Sequence, residues 1–133
     1  MIRDLDALGR LLAARLAVPF AWGRDANDCV GLVLAAIAAQ TGRDALPGVA
    51  WASEREAAVV IGRLGGLERA LDERLRRIAP ALAARGDVAG IADARFGVSL
   101  MLVEGATLVG PGPRGLKRLP RSAAIAAWSI LPG

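Results

Sequence analysis

The sequence lacks histidine and tyrosine, and it contains a single cysteine. Without histidine, the Ser-His and Cys-His catalytic mechanisms and histidine metal sites are excluded. Without tyrosine, there is no phenolic acid or base. Because Cys29 is the one thiol, neither an internal disulfide nor a cysteine zinc cluster can form. A reduced, intracellular-type environment is therefore the default expectation.

Long apolar runs are also missing from the sequence. The longest, from Cys29 to Ala39, has 11 residues, whereas a membrane helix needs about 18. Asp4 and Asp6 follow closely on Met1, so we expect no secretory signal. The sequence therefore predicts no membrane span.

The proportions of hydrophobic and charged residues are those of a globular chain. The 133 residues suit one domain, placed here at 1–133, and they are 54% hydrophobic and 23% charged. Seventeen basic and 13 acidic residues give a net charge of +4, and Lys117 is the one lysine. This charge is compatible with nucleic acid, an anionic lipid or a cell-wall polymer, and it selects none of them.

The first half of the chain predicts helices. Leucines at helical spacing indicate an amphipathic first helix. An almost wholly apolar stretch follows Asn27 and Asp28 and indicates a buried central helix. Either of these two residues can cap its start, and it stops at Gly42. Ser53 with Glu56 forms a capping box. The predicted helices cover residues 4–16 (with Leu5, Leu8, Leu12 and Leu16 on the apolar stripe), 28–40, 53–64 and 67–74. Pro80 leaves residues 75–86 undecided.

After Gly86 the pattern changes to short apolar runs separated by glycine, proline and aspartate, which is typical of a small antiparallel sheet. The predicted strands are Val88–Ala92, Val98–Glu104, Thr107–Gly110, Gly115–Leu119 and Ala126–Leu131. The segment Gly110–Pro113 is predicted to be a rigid turn. Helices followed by strands predict an α+β domain.

The stretch PFAWGRDANDCVGLVL, residues 19–34, carries the chemistry. It places Cys29 at the start of the buried helix, directly after a loop. Free N–H groups and the helix dipole favour thiolate there, and this placement can lower a thiol pKa of roughly 8.5 by one or more units. Asp28 is expected to cap the helix or brace the loop, and its charge opposes thiolate formation.

This stretch resembles the opening motif of the NlpC-type cysteine peptidases, a papain-like family that cuts peptide bonds in bacterial cell walls. The matching residues are Pro19, Phe20, Trp22, Gly23, Asp28, Cys29, Gly31, Leu32 and Val33, while Val30 stands where the family usually has serine. Residues 84–88 are similar to the family's Pro-Gly-Asp-Leu segment, and residues 95–98 to its His-Val-Gly-Ile strand. The resemblance implies a papain-like fold with Cys29 as nucleophile, and with Trp22, Gly23 and Asp28 at the cleft.

More narrowly, the chain resembles small NlpC-like domains found among the tail proteins of phages, prophages and gene-transfer agents. The shared features beyond the cysteine motif are Thr41, Gly42, Asp44, the Arg85-Gly86-Asp87 segment, Gly115, Leu116, Ala124, Ala127 and Trp128. This resemblance implies hub or baseplate proteins as partners. It also implies synthesis in a bacterial cytoplasm and assembly into a virion or virion-like tail.

One departure from the family pattern changes the expected function. Arg95 stands at the position of the family's general base, and residues 108–110, where a third polar residue is usual, offer no candidate. Arginine accepts no proton near neutral pH, although its charge is able to favour a Cys29 thiolate. We therefore expect a non-catalytic domain that acts as a structural or adaptor part of a tail tip.

Two alternatives remain open on the sequence. One is a cysteine-dependent hydrolase of cell-wall peptides, esters or thioesters, with Asp87, Asp93, a water or a partner residue as base. The other is a module that binds cell-wall peptide without cutting it. We expect no cofactor and no metal, since Asp25 and Asp28 alone make a weak cation site. Two basic clusters (Arg74, Arg76 and Arg77; Arg114, Lys117, Arg118 and Arg121) are interpreted as solvated faces, with no nucleic-acid motif beside them.

Overall fold

The computed structural model describes residues 3–132. Four helices come first: α1 (Leu5–Arg15), α2 (Cys29–Thr41), α3 (Glu54–Arg63) and the short α4 (Leu67–Asp72). Six strands follow: β1 (Arg76–Ile78), β2 (Val88–Asp93), β3 (Gly97–Glu104), β4 (Thr107–Gly112), β5 (Gly115–Pro120) and β6 (Ala126–Ser129). The predicted α+β class is confirmed.

The strands form one antiparallel sheet in the order β1-β6-β2-β3-β4-β5. Each of the pairs β2–β3, β3–β4 and β4–β5 is consecutive in the chain, so these strands are joined by tight connections. The last strand, β6, crosses back and inserts between β1 and β2. The sheet thereby ties the C-terminal end of the described chain to the segment that follows the helices.

Helix α2 is the central helix that the apolar pattern predicts. Asp28 caps its start and Gly42, with φ 74°, ends it in the left-handed conformation that glycine adopts most readily. Its residues Leu32, Val33 and Ile37 are 1% exposed or less and pack in one core with the helix-facing side of β3. The helix therefore presents Cys29, its first residue, beside the sheet.

Trp128 on β6 anchors this core. It is fully buried, its indole N–H donates to Asp72 Oδ1 at 2.9 Å, and the Arg77 guanidinium lies 5.0 Å from its ring centre. Gly90 on the neighbouring strand makes room for it, since a Cβ there would lie 3.3 Å from both Trp128 and Val98. Arg77 was predicted to lie on a solvated face, but its guanidinium pairs with Asp72 and Glu68 and lies over the Trp128 ring.

Three boundary predictions are wrong. The segment Gly110–Gly112 continues β4, because Gly110 pairs with Lys117 and the carbonyl of Gly112 accepts a 2.7 Å hydrogen bond from the Phe20 N–H. Strand β6 ends at Ser129, because the Ile130 N–H turns to the Asp87 carboxylate. Leu16 lies past the end of α1 and is 64% exposed instead of joining the apolar stripe.

The undecided segment 75–86 contains β1 and a short 3₁₀ helix, Pro80–Leu82. Proline at the first position of this turn needs no N–H partner, which explains how a helical pattern and Pro80 coexist. Within residues 3–132, no helix has the length and apolar character needed to cross a membrane.

Candidate functional site

Asp28 is the organising residue of the site. Its Oδ1 accepts from the Gly31 N–H at 2.7 Å, which caps α2. Its Oδ2 accepts from the Gly23 N–H at 3.0 Å and from the Trp51 indole N–H at 2.7 Å. The residue is 1% exposed, so three N–H groups compensate the burial of its carboxylate. The predicted cap and brace are both confirmed.

The loop before α2 is held in one shape by further polar contacts. Gly23 has φ 136°, a conformation that side chains with a Cβ rarely adopt. Asn27 is buried, donates to the carbonyls of Val18 and Pro19, and accepts from Arg15 at 2.7 Å. These contacts position the Trp22–Gly23 pair over the start of the helix.

Cys29 begins α2 and is partly exposed, packed against the main core. The pKa of its thiol is raised, and burial is the largest cause. Hydrogen bonds from the Leu100 N–H and the Ser99 hydroxyl, and one from the Val30 backbone, act in the opposite direction, while the charge of Asp28 raises the pKa further. The expectation of a lowered pKa is therefore wrong, since desolvation outweighs the helix terminus. The raised pKa favours the neutral thiol over the thiolate.

An apolar cavity of about 280 Å³ opens beside Cys29. Trp22 lines it as expected, within an aromatic row in which the Phe20 and Trp22 ring centres are 5.0 Å apart and the Trp22 and Phe96 ring centres are 6.5 Å apart. Asp28 also reaches the lining, whereas Gly23 lies behind it, bound to Asp28. The structure thus brings Cys29 together with Trp22 and Asp28, whereas Gly23 does not line the cavity.

Arg95 lies in the turn between β2 and β3 and lines the same cavity as Cys29. Its guanidinium forms an ion pair with Glu54 at the start of α3 and lies 5.0 Å from the Phe96 ring centre. Arg95 is not among the groups that set the pKa of Cys29. Because its charge is matched by Glu54, it does not act as the thiolate partner that the sequence suggested.

The two aspartates predicted as alternative bases lie in different surroundings. Asp87 is 2% exposed and lies outside the cavity lining, where it accepts from the Ala84 and Ile130 N–H groups and pairs with Arg3 at 2.9 Å. Asp93 lines the cavity, but its Oδ1 accepts from the N–H groups of Arg95 and Phe96 and holds the turn.

The region in which the family usually carries a third polar residue is apolar in this chain. Leu108 and Val109 are fully buried in the sheet, on opposite faces. Among residues 3–132 that line the cavity, the remaining carboxylates are Asp28, with three N–H partners, and Glu54, paired with Arg95. The site therefore contains a nucleophile position, and none of the carboxylates in the cavity lining is among the groups that hydrogen-bond Cys29.

Trp51 and Glu54 are site residues that the sequence reasoning missed. Trp51 is 7% exposed, although it lies in a segment that reads as a loop, residues 43–52. A tryptophan within a turn-rich segment was the available signal, because so large an apolar ring is seldom left in water. Arg24 ties this loop to the first one, since its N–H donates to the Trp51 carbonyl and its side chain pairs with Asp44.

The described residues contain no group of three or more cysteine, aspartate or glutamate side chains arranged to hold a metal ion. Asp25 and Asp28 do not combine into a cation site, because both oxygens of Asp28 are taken by N–H donors.

The fold is that of the NlpC/p60 domains. A solved structure described as the NlpC/p60 domain of the peptidoglycan hydrolase SagA is similar to this chain with a TM-score of 0.63 and 18% sequence identity, over 95% of this chain and 98% of that one. At this identity the likeness establishes the architecture alone. No curated protein matches the sequence.

The chain belongs to a family described as a domain of unknown function (DUF6950), which matches residues 3–130. The family match therefore covers the helices, the cysteine motif and the whole sheet.

Proposed function

We propose that this protein is a non-catalytic NlpC-like domain that serves as a structural or adaptor component of a phage-type tail tip. The observation that carries the non-catalytic part is the environment of Cys29, a thiol whose pKa is raised mainly by burial and whose cavity holds Arg95 at the position of the family's histidine. The tail context is supported by the sequence resemblance to small NlpC-like tail domains.

Hydrolysis of an amide by a thiol needs two proton transfers. A base must take the proton from the thiol, and an acid must give one to the leaving amine. The cavity offers Arg95 at the position of the family's histidine, and arginine remains protonated at any pH near neutral. Both oxygens of Asp28 accept from N–H donors, and Oδ1 of Asp93 accepts from two backbone N–H groups. The geometry therefore favours a scaffold over a peptidase.

The residues shared with tail-type domains have structural roles in this fold. Gly42 ends α2, Asp44 accepts from the Leu46 N–H and pairs with Arg24, and Trp128 fills the core. A domain built around these positions keeps the NlpC shape without its chemistry. Such a domain suits docking to hub or baseplate proteins, after synthesis in the bacterial cytoplasm.

The catalytic part of the proposal is tested with purified cell-wall peptides. The wild-type chain and a Cys29→Ala variant are incubated with muropeptides, and the products are separated by liquid chromatography and mass spectrometry. We expect identical profiles for the two proteins. Cleavage by the wild type that is lost in Cys29→Ala would establish the hydrolase alternative instead.

The tail part is tested on particles. Virion-like particles from cells that carry the gene are purified, and this chain is sought in them by mass spectrometry, with a gene deletion as control. We expect the chain in the particles and tails that are incomplete without it. A chain found only in the particle-free fraction would refute the adaptor role.

A further inference from the structure

The cavity beside Cys29 has the wrong chemistry for a cell-wall peptide. Its inner wall is hydrocarbon, formed by Leu34 of α2, Ala57 and Ile61 of α3, and Leu67 and Ala70 of α4. A peptide would bring amide N–H and C=O groups into this lining, where each would lose its water without gaining a partner. A ligand without polar groups along its length is the better match.

The size of the cavity indicates how long such a ligand is. Its volume of about 280 Å³ is close to twice the roughly 150 Å³ of an apolar cavity that binds benzene. An aliphatic chain of about ten carbons fits that space. The aromatic row of Phe20, Trp22 and Phe96 supplies flat apolar surface for the same chain.

The cavity lining holds three carboxylates and two arginines, and the more loosely paired arginine, Arg74, points to an anionic end group. Asp28, Asp93 and Glu54 are each engaged by N–H donors or by Arg95. Arg74 is paired more loosely, because its Nη1 donates to the Ala70 carbonyl and its ion pair with Glu73, a carboxylate that also binds Arg69, is 3.7 Å long.

Arg74 also lines a second cleft, together with Arg43 and Arg76. The Nε of Arg43 is buried there without a hydrogen-bond partner among the described residues, although its Nη2 donates to the Ile130 carbonyl. Three arginines and one carboxylate, that of Glu73, line this cleft, so its net charge is positive. A carboxylate at Arg74 would lie at the border between the apolar cavity and this basic cleft.

We propose that the cavity binds a medium-chain fatty acid, with the alkyl chain between α2, α3 and α4 and the carboxylate at Arg74. This binding site goes beyond the adaptor role and does not depend on it. It requires no chemistry at Cys29. The occupant is a small amphiphile.

Decanoate is the probe, and binding to the intact chain is measured by isothermal titration calorimetry and by native mass spectrometry. We expect saturable binding of one decanoate per chain, with a higher thermal midpoint in its presence. Decanol lacks the carboxylate and should bind more weakly. Acetate lacks the long alkyl chain and should not bind.

Two kinds of variant locate the site. Ala70→Phe and Ala57→Leu each fill the cavity, so both should abolish saturable binding while circular dichroism shows a folded chain. Arg74→Gln should weaken decanoate binding about tenfold, as expected for loss of a charge-assisted hydrogen bond, and leave decanol unaffected. Arg55→Gln, an exposed change of the same charge on α3, is the matched control and should have no effect.

The proposal fails if the folded wild-type chain shows no saturable decanoate binding, or if binding persists in both cavity-filling variants. Equal affinity for decanoate and decanol, or equal effects of Arg74→Gln and Arg55→Gln, would overturn the placement of the carboxylate.

Discussion

The buried carboxylate of Asp28 accepts a 2.7 Å hydrogen bond from the indole N–H of Trp51, 23 residues further along the chain. Through this bond and the one from Gly23, the residue that caps the cysteine helix also fixes the two loops that wall the cavity. The cleft is therefore shaped by an aspartate that directly precedes the cysteine in sequence.

Replacing Trp51 should destabilise the protein through this carboxylate. Trp51→Phe keeps an aromatic ring and removes the N–H donor, so the free energy of unfolding should fall by about 1.5–3 kcal/mol, the range for a hydrogen bond to a charged group. Urea unfolding followed by circular dichroism measures this. Trp22→Phe is the matched control, because no hydrogen bond to the Trp22 indole is present in the part of the chain described. Equal losses in the two variants would contradict the role of the bond.

Neutralising Asp28 should lower the pKa of Cys29. The charge of Asp28 raises that pKa in the folded chain, so Asp28→Asn should shift the alkylation profile of Cys29 to lower pH. Asp25→Asn, an exposed change in the same loop, is the control and should leave the profile in place. The variant must remain folded, which thermal unfolding checks. A profile that moves to higher pH, or does not move, would show that Asp28 does not act on the thiol.

Removing the charge of Arg95 should leave the pKa of the Cys29 thiol unchanged. Since Arg95 pairs with Glu54 and is not among the groups that set the thiol pKa, Arg95→Gln should give the same alkylation midpoint as the wild type. The measurement is again the rate of alkylation against pH. A midpoint that rises in Arg95→Gln would mean that the arginine stabilises a thiolate after all.

Acid should weaken the contact between Asp72 and its partners. Hydrogen bonds from Arg77 first, and then from Trp128, lower the pKa of Asp72 below its ordinary value near 3.9. The stabilisation is fully present above that value and is lost as the pH falls through the lowered pKa of the folded state. Chemical unfolding between about pH 5 and pH 2 should show that the free energy of unfolding falls less steeply with falling pH in Asp72→Asn than in the wild type. The exposed control Asp25→Asn should retain the wild-type slope, and a decline in Asp72→Asn as steep as in the wild type would contradict the assignment.

The parts of the fold that the sequence predicts well are those with strong local signals. The cap at Asp28, the glycine stop at Gly42 and the capping serine at Ser53 are local hydrogen-bond or backbone requirements, and each forms as expected. Boundaries set by distant contacts were missed. The end of β4 depends on the Phe20 N–H, and the end of β6 depends on Asp87, and neither contact is visible from local pattern.

The sequence predicted several residues of the site but not the direction in which the pKa of Cys29 is shifted. A motif places Cys29 at a helix start, and from that position a lowered pKa is a reasonable expectation. The opposite direction comes from desolvation by the packed core around it, a three-dimensional quantity. Trp51 and Glu54 were missed for a related reason, since each acts through one partner far away in the sequence.

The central claim is that Cys29 is an inert thiol, and the rate of its alkylation by iodoacetamide against pH, in the native chain, tests it most directly. The account predicts slow alkylation with a midpoint above the roughly 8.5 of an ordinary thiol, and a fast reaction only after unfolding. Fast alkylation with a midpoint near or below pH 7 would show a poised thiolate and would contradict the non-catalytic assignment.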